Sequence, residues 1–242
     1  DNLFMEQLII GLTALIAGLV QGVTGFGAGI VLMMVLPGFF AVNTSAGIST
    51  SICIILNAMM VYTYRKYVNF KQIVKPAILY FIICSALMYF STLINPVFLK
   101  KTFGMFLVIL AIYFLFFNKG TSNNLSLPIK VVCIVLSAVC DGLFGIGGPL
   151  MVIYFISQLQ STLEYLGTIQ FFFLINGCYN TVFRVANGII GLQHFLVIGC
   201  GMIGILMGGQ ITARVVKKLN GDIIRKITYI MIGVAGVVNI IL

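Results

Sequence analysis

Two glycine clusters interrupt long apolar runs in this sequence. The first reads Gly22-Val23-Thr24-Gly25-Phe26-Gly27-Ala28-Gly29 and the second Gly142-Leu143-Phe144-Gly145-Ile146-Gly147-Gly148-Pro149. Glycine tolerates backbone angles closed to other residues and lets a ligand approach the main chain. A helix restarting after such a break presents backbone N–H groups without intrahelical partners, at the positive end of its dipole. That arrangement attracts anions. Pro149 suits the first turn of a restarted helix, where its missing N–H costs little. The expected anion site therefore comprises Thr24, Gly25, Phe26 and Gly27 from the first break, and Phe144, Gly145, Gly147 and Gly148 from the second. The alternative is that the glycines serve only close helix packing.

Polar residues inside apolar runs extend the candidate site. Asn57 and Asn176 sit in successive runs after each break, and their amides can donate to substrate oxygens or hold helices together. Asp141 is an acidic residue deep in an apolar run, directly before the second break. A carboxylate there is costly and usually functional. It either takes up a proton and couples transport to a proton gradient, or braces the break. Its counterpart in the first half, Gln21, cannot titrate. Gln170, six residues before Asn176, lies off its face and is not expected to share its ligand; Thr50 is a weaker candidate. Arg65 reads as an interfacial anchor. Arg184 has apolar flanks, and its expected role is snorkelling to an interface, with anion attraction at an outer mouth as the alternative. His194 reads as interfacial.

These residues need a scaffold, and composition names its solvent. Of 242 residues, 61% are hydrophobic and 8% charged. A soluble domain carries about a quarter charged residues. The apolar runs are about 20 residues long and do not alternate, which selects membrane-spanning helices over a barrel. The formal charge of +9 is a topology signal rather than a nucleic-acid footprint, because Lys and Arg fall in short gaps between apolar runs. Six cysteines without a CxxC pair exclude a zinc site or disulfide framework. No cofactor, metal or nucleic-acid partner is expected. The lipid bilayer and a small anion are the expected partners, with protons added under the coupling reading of Asp141, and the oligomeric state is left open.

Hydrophobic segments run over 7–40, 46–64, 73–94, 98–117, 129–157, 165–186, 190–212 and 223–242. No connector could hold a soluble domain, so residues 1–242 form one all-α membrane domain. Gly22, Gly25 and Gly27 match Gly142, Gly145 and Gly147 at an offset of 120, and Asn57 and Arg65 match Asn176 and Arg184 at 119. Lys100-Lys101 and Arg225-Lys226 precede the last run of each half. The series defines repeat one over 1–118 and repeat two over 128–242. If the first and fifth segments cross fully, basic residues divide seven to seven. If both are re-entrant hairpins, Arg65, Lys66, Lys71, Lys75, Lys119, Lys130, Arg214, Lys217, Lys218, Arg225 and Lys226 share one side, eleven in all. Lys100, Lys101 and Arg184, three, occupy the other. The positive-inside rule favours the hairpins. Each repeat then has three further crossings, and an odd number makes the halves inverted, a design suited to alternating access. Both termini would face away from the cytoplasm.

The two glycine motifs, with Asp141 opening the second, resemble those of the sulfite exporter TauE/SafE family over nearly the whole chain. The resemblance implies transport of small sulfur-containing anions such as sulfite or sulfoacetate across a bacterial inner membrane, without fixing the substrate. The residues argue against other classes. No P-loop is present to use ATP, and a paired-acid intramembrane protease would need a second deep carboxylate beside Asp141. A secondary transporter, not an enzyme, is the expected function, against a non-transporting membrane subunit or intramembrane enzyme as alternatives.

Overall fold

A computed structural model describes residues 2–116, 125–159 and 161–215, together with 230, 233–234 and 236–241. Every regular element among them is helical: α1 (Asn2–Thr24), α2 (Ala28–Val35), α3 (Val42–Tyr64), α4 (Phe70–Ser91), α5 (Pro96–Phe116), α6 (Leu127–Phe144), α7 (Gly148–Ile156), α8 (Thr162–Ala186) and α9 (Phe195–Val215), with three short 3-10 turns. Residues 236–241 are helical as well. Lys119, Lys217, Lys218, Arg225 and Lys226 lie outside the described residues, so the basic pair matched to Lys100-Lys101 does too.

Six described spans are long and apolar enough to cross a membrane: Met5–Thr24, Val42–Tyr67, Phe70–Ser91, Pro96–Tyr113, Leu127–Phe144 and Leu192–Arg214. Their outward faces carry bare hydrocarbon, including Leu12, Ile78, Ile82, Ile109 and Ile203. Water would penalise such surfaces; lipid does not. The protein is therefore a multi-helix membrane protein. α8 is more polar, yet its 25 residues reach about 37 Å. Its polar residues Gln170, Asn176, Asn180 and Arg184 are buried in protein.

The first and fifth apolar segments are each split by a glycine turn. Gly25 (φ 81°) and Gly145 (φ 68°) adopt left-handed conformations. Their N–H groups close the preceding helix on Gln21 O and Asp141 O, each at 2.7 Å. This is the αL cap that glycine favours. The chain then turns back beside the helix it has left. Ala28 N–H donates to the Gln21 side chain at 3.3 Å, and Ser137 Oγ donates to the carbonyl of Gly147, ten residues ahead.

Contact registers give the direction of each helix. α1 and α9 run parallel: Gly11 O faces Gly204, Leu15 O faces Gly208, and Gly22 faces Thr212. α3 and α9 run parallel, with Ile52 against Gly201 and Met59 against Gly209. α3 and α8 run antiparallel, with Gly47 against Arg184, Ser51 bonded to Thr181 at 3.0 Å, and Tyr64 O against Gly167. α4 parallels α8, from the Asn69–Thr168 bond at 3.0 Å to the Ser85–Tyr179 bond. α1 and α3 thus run the same way, and the short stretch through α2 between them must return the chain. α4 packs on α6 as α9 packs on α1, and α5 meets residues 233–240 antiparallel, with Gly104 against Ile240 and Ala111 against Gly233. The small residues on these seams let backbones approach closely.

Candidate functional site

The two glycine turns adjoin. A Cβ on Gly29 would stand 3.5 Å from Gly145 O, and one on Gly145 would lie 2.9 Å from the Ala46 Cβ. Between them lies a cavity of about 70 Å³, against the roughly 15 Å³ one ordered water requires. It is lined by Gln21, Gly27, Gly29, Ile30, Ser49, Thr50, Cys53 and Asn57 from the first half. The second contributes Asp141, Gly145, Ile146, Gly147, Gly148, Phe173, Asn176 and Gly177, and Tyr80 comes from α4.

Two half-helices open onto this cavity. α2 begins after Gly27 (φ 100°) and α7 after Gly147; neither N-cap glycine has a side chain to cap its helix, and Gln21 Oε1 takes the Ala28 N–H of α2. Gly29, Ile30 and Gly148 therefore bring first-turn backbone to the lining, where unpaired N–H donors and the positive dipole end are found. Gly147 has an ordinary φ of −93°. It is a glycine for space, since a Cβ there would overlap the Tyr80 hydroxyl and crowd the Asp141 Cβ.

Seven of the expected site residues share the cavity wall: Gly27, Asn57, Asp141, Gly145, Gly147, Gly148 and Asn176. Four stand behind it. The Thr24 hydroxyl donates to Val20 O and Phe26 O, at 2.8 and 2.6 Å, and stays within its own turn. The Gly25 carbonyl accepts from Gln170. Phe26 packs between two apolar clusters, and Phe144 packs on Phe103 and Phe106.

The two breaks repeat one pairing. Gln21 Nε2 donates to Asn57 Oδ1 at 2.7 Å, and Asn176 Nδ2 donates to Asp141 Oδ2 at 2.8 Å. In each half, the residue four before the turn glycine bonds the asparagine of the next crossing helix. Asp141 is 2% exposed. Its Oδ2 also accepts from Asn180 Nδ2 at 3.0 Å and from the Cys84 thiol at 3.4 Å.

Arg184 corrects the snorkelling expectation. It is wholly buried. Its Nη1 donates to Asn43 O at 2.6 Å, and its Nη2 reaches Asp141 O and Gly142 O at 3.4 and 3.3 Å. A cation thus meets carbonyls at the C-terminal end of α6, sharing Asp141 O with the Gly145 N–H, and this is the favourable end of the dipole for positive charge. Arg65, its repeat counterpart, is exposed, stacks on Tyr62 and donates to Tyr62 O. His194 is also buried, with Nδ1 accepting from Gly191 N–H and its ring edge-on to Phe40. Gln170 is off the Asn176 face, as expected, but serves the first break instead. Sequence reading missed Asn180, Cys84 and Tyr80. Asn180 had a signal: Asn176, Asn180 and Arg184 form an i, i+4, i+8 stripe on α8. Cys84 and Tyr80 had none, because only the fold brings α4 to the second break.

Comparison with known proteins decides the family. The model for "Sulfite exporter TauE/SafE" matches residues 10–238. The chain belongs to that family. A protein of Methanocaldococcus jannaschii named as a probable membrane transporter is 28% identical over 166 residues, which cover 62% of this chain and 61% of that relative. The match thus spans less than two thirds of the relative's length. No solved structure matches this family member.

Proposed function

We propose that this protein is a secondary transporter of small sulfur-containing anions, such as sulfite, sulfoacetate or related organosulfonates, in a bacterial inner membrane. One observation carries the reading. Two half-helix N-termini that begin on glycine converge on one cavity inside a membrane-embedded bundle. They offer backbone donors and positive dipole ends without placing a cation side chain on the lining.

The halves, repeat one over 1–118 and repeat two over 128–242, work as inverted repeats, each a re-entrant hairpin plus three crossings. The helix directions support this. α1, α3 and α9 run one way, and α4 and α8 the other, so α3 opposes α8 and α4 opposes α9. Alternating access then follows from rocking one half against the other around the shared cavity. Asp141 is the proton site. An ionised carboxylate repels an anion from the same cavity; protonation removes the repulsion, so acid favours the anion-bound state.

The test is uptake of labelled sulfite and sulfoacetate into liposomes holding the purified protein, with and without a pH gradient. Saturable uptake, faster with acid on the side of the anion, is the expected result. Protein-independent leakage for every anion would refute the transporter reading.

A further inference from the structure

The first break holds an amide relay whose ends are fixed by backbone. Gln170 Nε2 donates to Gly25 O at 2.6 Å. A carbonyl accepts only, so Gln170 must turn its Oε1 the other way, and there it meets Gln21 Nε2 at 3.1 Å. At the opposite end Ala28 N–H donates to Gln21 Oε1 at 3.3 Å. An N–H donates only, which fixes Gln21 in the same sense. Gln21 Nε2 then has one further partner, Asn57 Oδ1 at 2.7 Å. Asn57 accepts from Gln21 and must present its Nδ2 elsewhere. Amide oxygen and nitrogen are interchangeable in shape, but here two backbone anchors dictate the choice.

Asn57 is 4% exposed and lines the cavity. Among the described residues its Nδ2 has no hydrogen-bond partner, and the atom is open to the cavity rather than sealed in the protein. Water can serve such a donor, and a ligand oxygen can take the water's place. The second break has the opposite polarity. Asn176 donates to Asp141 and accepts from Asn180 at 3.0 Å, so its amide nitrogen and its oxygen each hold a protein partner.

We propose that Gln170, acting through Gln21, locks Asn57 as a hydrogen-bond donor to an oxygen of the bound anion. Gln170 and Gln21 are positioning residues; Asn57 touches the ligand. The inference rests on the anion-transport reading and deepens it. The first break recognises an anionic oxygen at any pH, and the titratable function belongs to the second break alone. The substrate class is an oxyanion or sulfonate with at least one oxygen free to accept from an amide.

Gln21→Glu tests the lock. A carboxylate at position 21 accepts only, so Asn57 must turn its Nδ2 inward, as Asn176 does toward Asp141, and show the cavity an oxygen. Protonated, the same side chain donates again and restores the original sense. The probe is methanesulfonate, a monoanion at all working pH values. Binding is read as thermal stabilisation of the full chain in detergent. Tyr80, Cys53 and Asp141 also face the cavity, and Cys84 and Arg184 stand behind Asp141. An Asp141→Asn background therefore leaves the introduced carboxyl as the acidic group under test. The expected result is an affinity at least about tenfold weaker at neutral pH, recovered in acid, while the Asp141→Asn parent changes little. Gln170→Met, which removes one anchor and leaves the other, should weaken binding by a few fold at every pH. It stands in if Gln21→Glu does not fold. Equal binding by Gln21→Glu at both pH values, or by Gln170→Met and its parent, overturns the relay while leaving the transporter reading intact. A native chain that binds none of methanesulfonate, sulfite and sulfoacetate overturns both.

Discussion

The two breaks share backbone geometry and differ in charge. Each ends a long helix on a left-handed glycine, and each bonds the residue four before it to an asparagine. The first is assembled from neutral amides: Gln21, Asn57 and Gln170. The second holds Asp141 with Arg184 on the neighbouring carbonyls. On the proposed reading, the first half keeps a fixed donor for the ligand and the second keeps the group that can change its charge, so that two similar frames divide the work through a few side chains.

The largest expected effect strikes the cation. Arg184→Met takes the guanidinium from the carbonyls of Asn43, Asp141 and Gly142, of which Asp141 O keeps the Gly145 N–H, and leaves the buried Asp141 carboxylate without its nearby positive charge. The expected loss is about 3–5 kcal/mol, read as a lower thermal unfolding midpoint in detergent. Gln170→Met at the first break strips a neutral donor from Gly25 O and should cost about 1–3 kcal/mol. Equal losses would mean that the charge of the second break is incidental to its stability.

The turn glycines sharpen the contrast. Alanine at Gly145 meets both a left-handed φ of 68° and the Ala46 backbone, 3.0 Å from its Cβ. Alanine at Gly25 meets a φ of 81°, but its closest neighbour is the terminus of Leu166, which can move. Gly145→Ala should cost about 2–4 kcal/mol and Gly25→Ala about 1–2 kcal/mol. The reverse order of unfolding midpoints would contradict the packing described here.

Which of these features the sequence displayed follows from where the information lies. Glycine clusters, apolar length and the repeated offsets are local, so the helices, both breaks, Asn57, Asn176 and Asp141 were legible. The burial of Arg184 was not, because it depends on α8 lying antiparallel to α3 and bringing Asn43 O to the guanidinium. Flanks such as Phe183 and Val185 read equally well as lipid-facing. Gln170 was assigned to the right face, but nothing local revealed that a second site lay on that side. α8 passes both breaks, and different turns of one helix serve them: Gln170 the first, and Asn176, Asn180 and Arg184 the second.

Asp141→Asn affects stability less and function more. An amide keeps an oxygen for Asn176, Asn180 and Cys84 to donate to, but buried Arg184 loses its nearby negative charge, so the unfolding midpoint should fall, by less than in Arg184→Met. It cannot ionise, so the second break then resembles the first. The native protein should transport faster as the anion-side pH falls, and the variant should give a flat profile in the same liposome assay. A pH dependence that survives would move proton coupling away from the second break and remove the functional half of the contrast.

The smallest expected effect is at Arg65, which occupies the same repeat position as Arg184. Duplicated positions do not preserve environment. Arg65 ends α3 in the open, stacked 4.3 Å over the Tyr62 ring and bonded to Tyr62 O at 2.6 Å, and exposed contacts of this kind contribute little. Arg65→Gln should leave the unfolding midpoint within about 0.5 kcal/mol of the native protein, while Arg184→Met lowers it by several times that amount. The disparity has a structural origin. α8 runs on through the bundle until its last turn lies beside the second break, whereas α3 carries its equivalent turn away from the first break to the end with Lys66, Lys71 and Lys75. The same residue type at the same repeat position is therefore a surface charge in one half and an internal brace in the other. A large loss from Arg65→Gln would show that the first half, too, depends on its cation, and the division between a neutral and a charged break would fail.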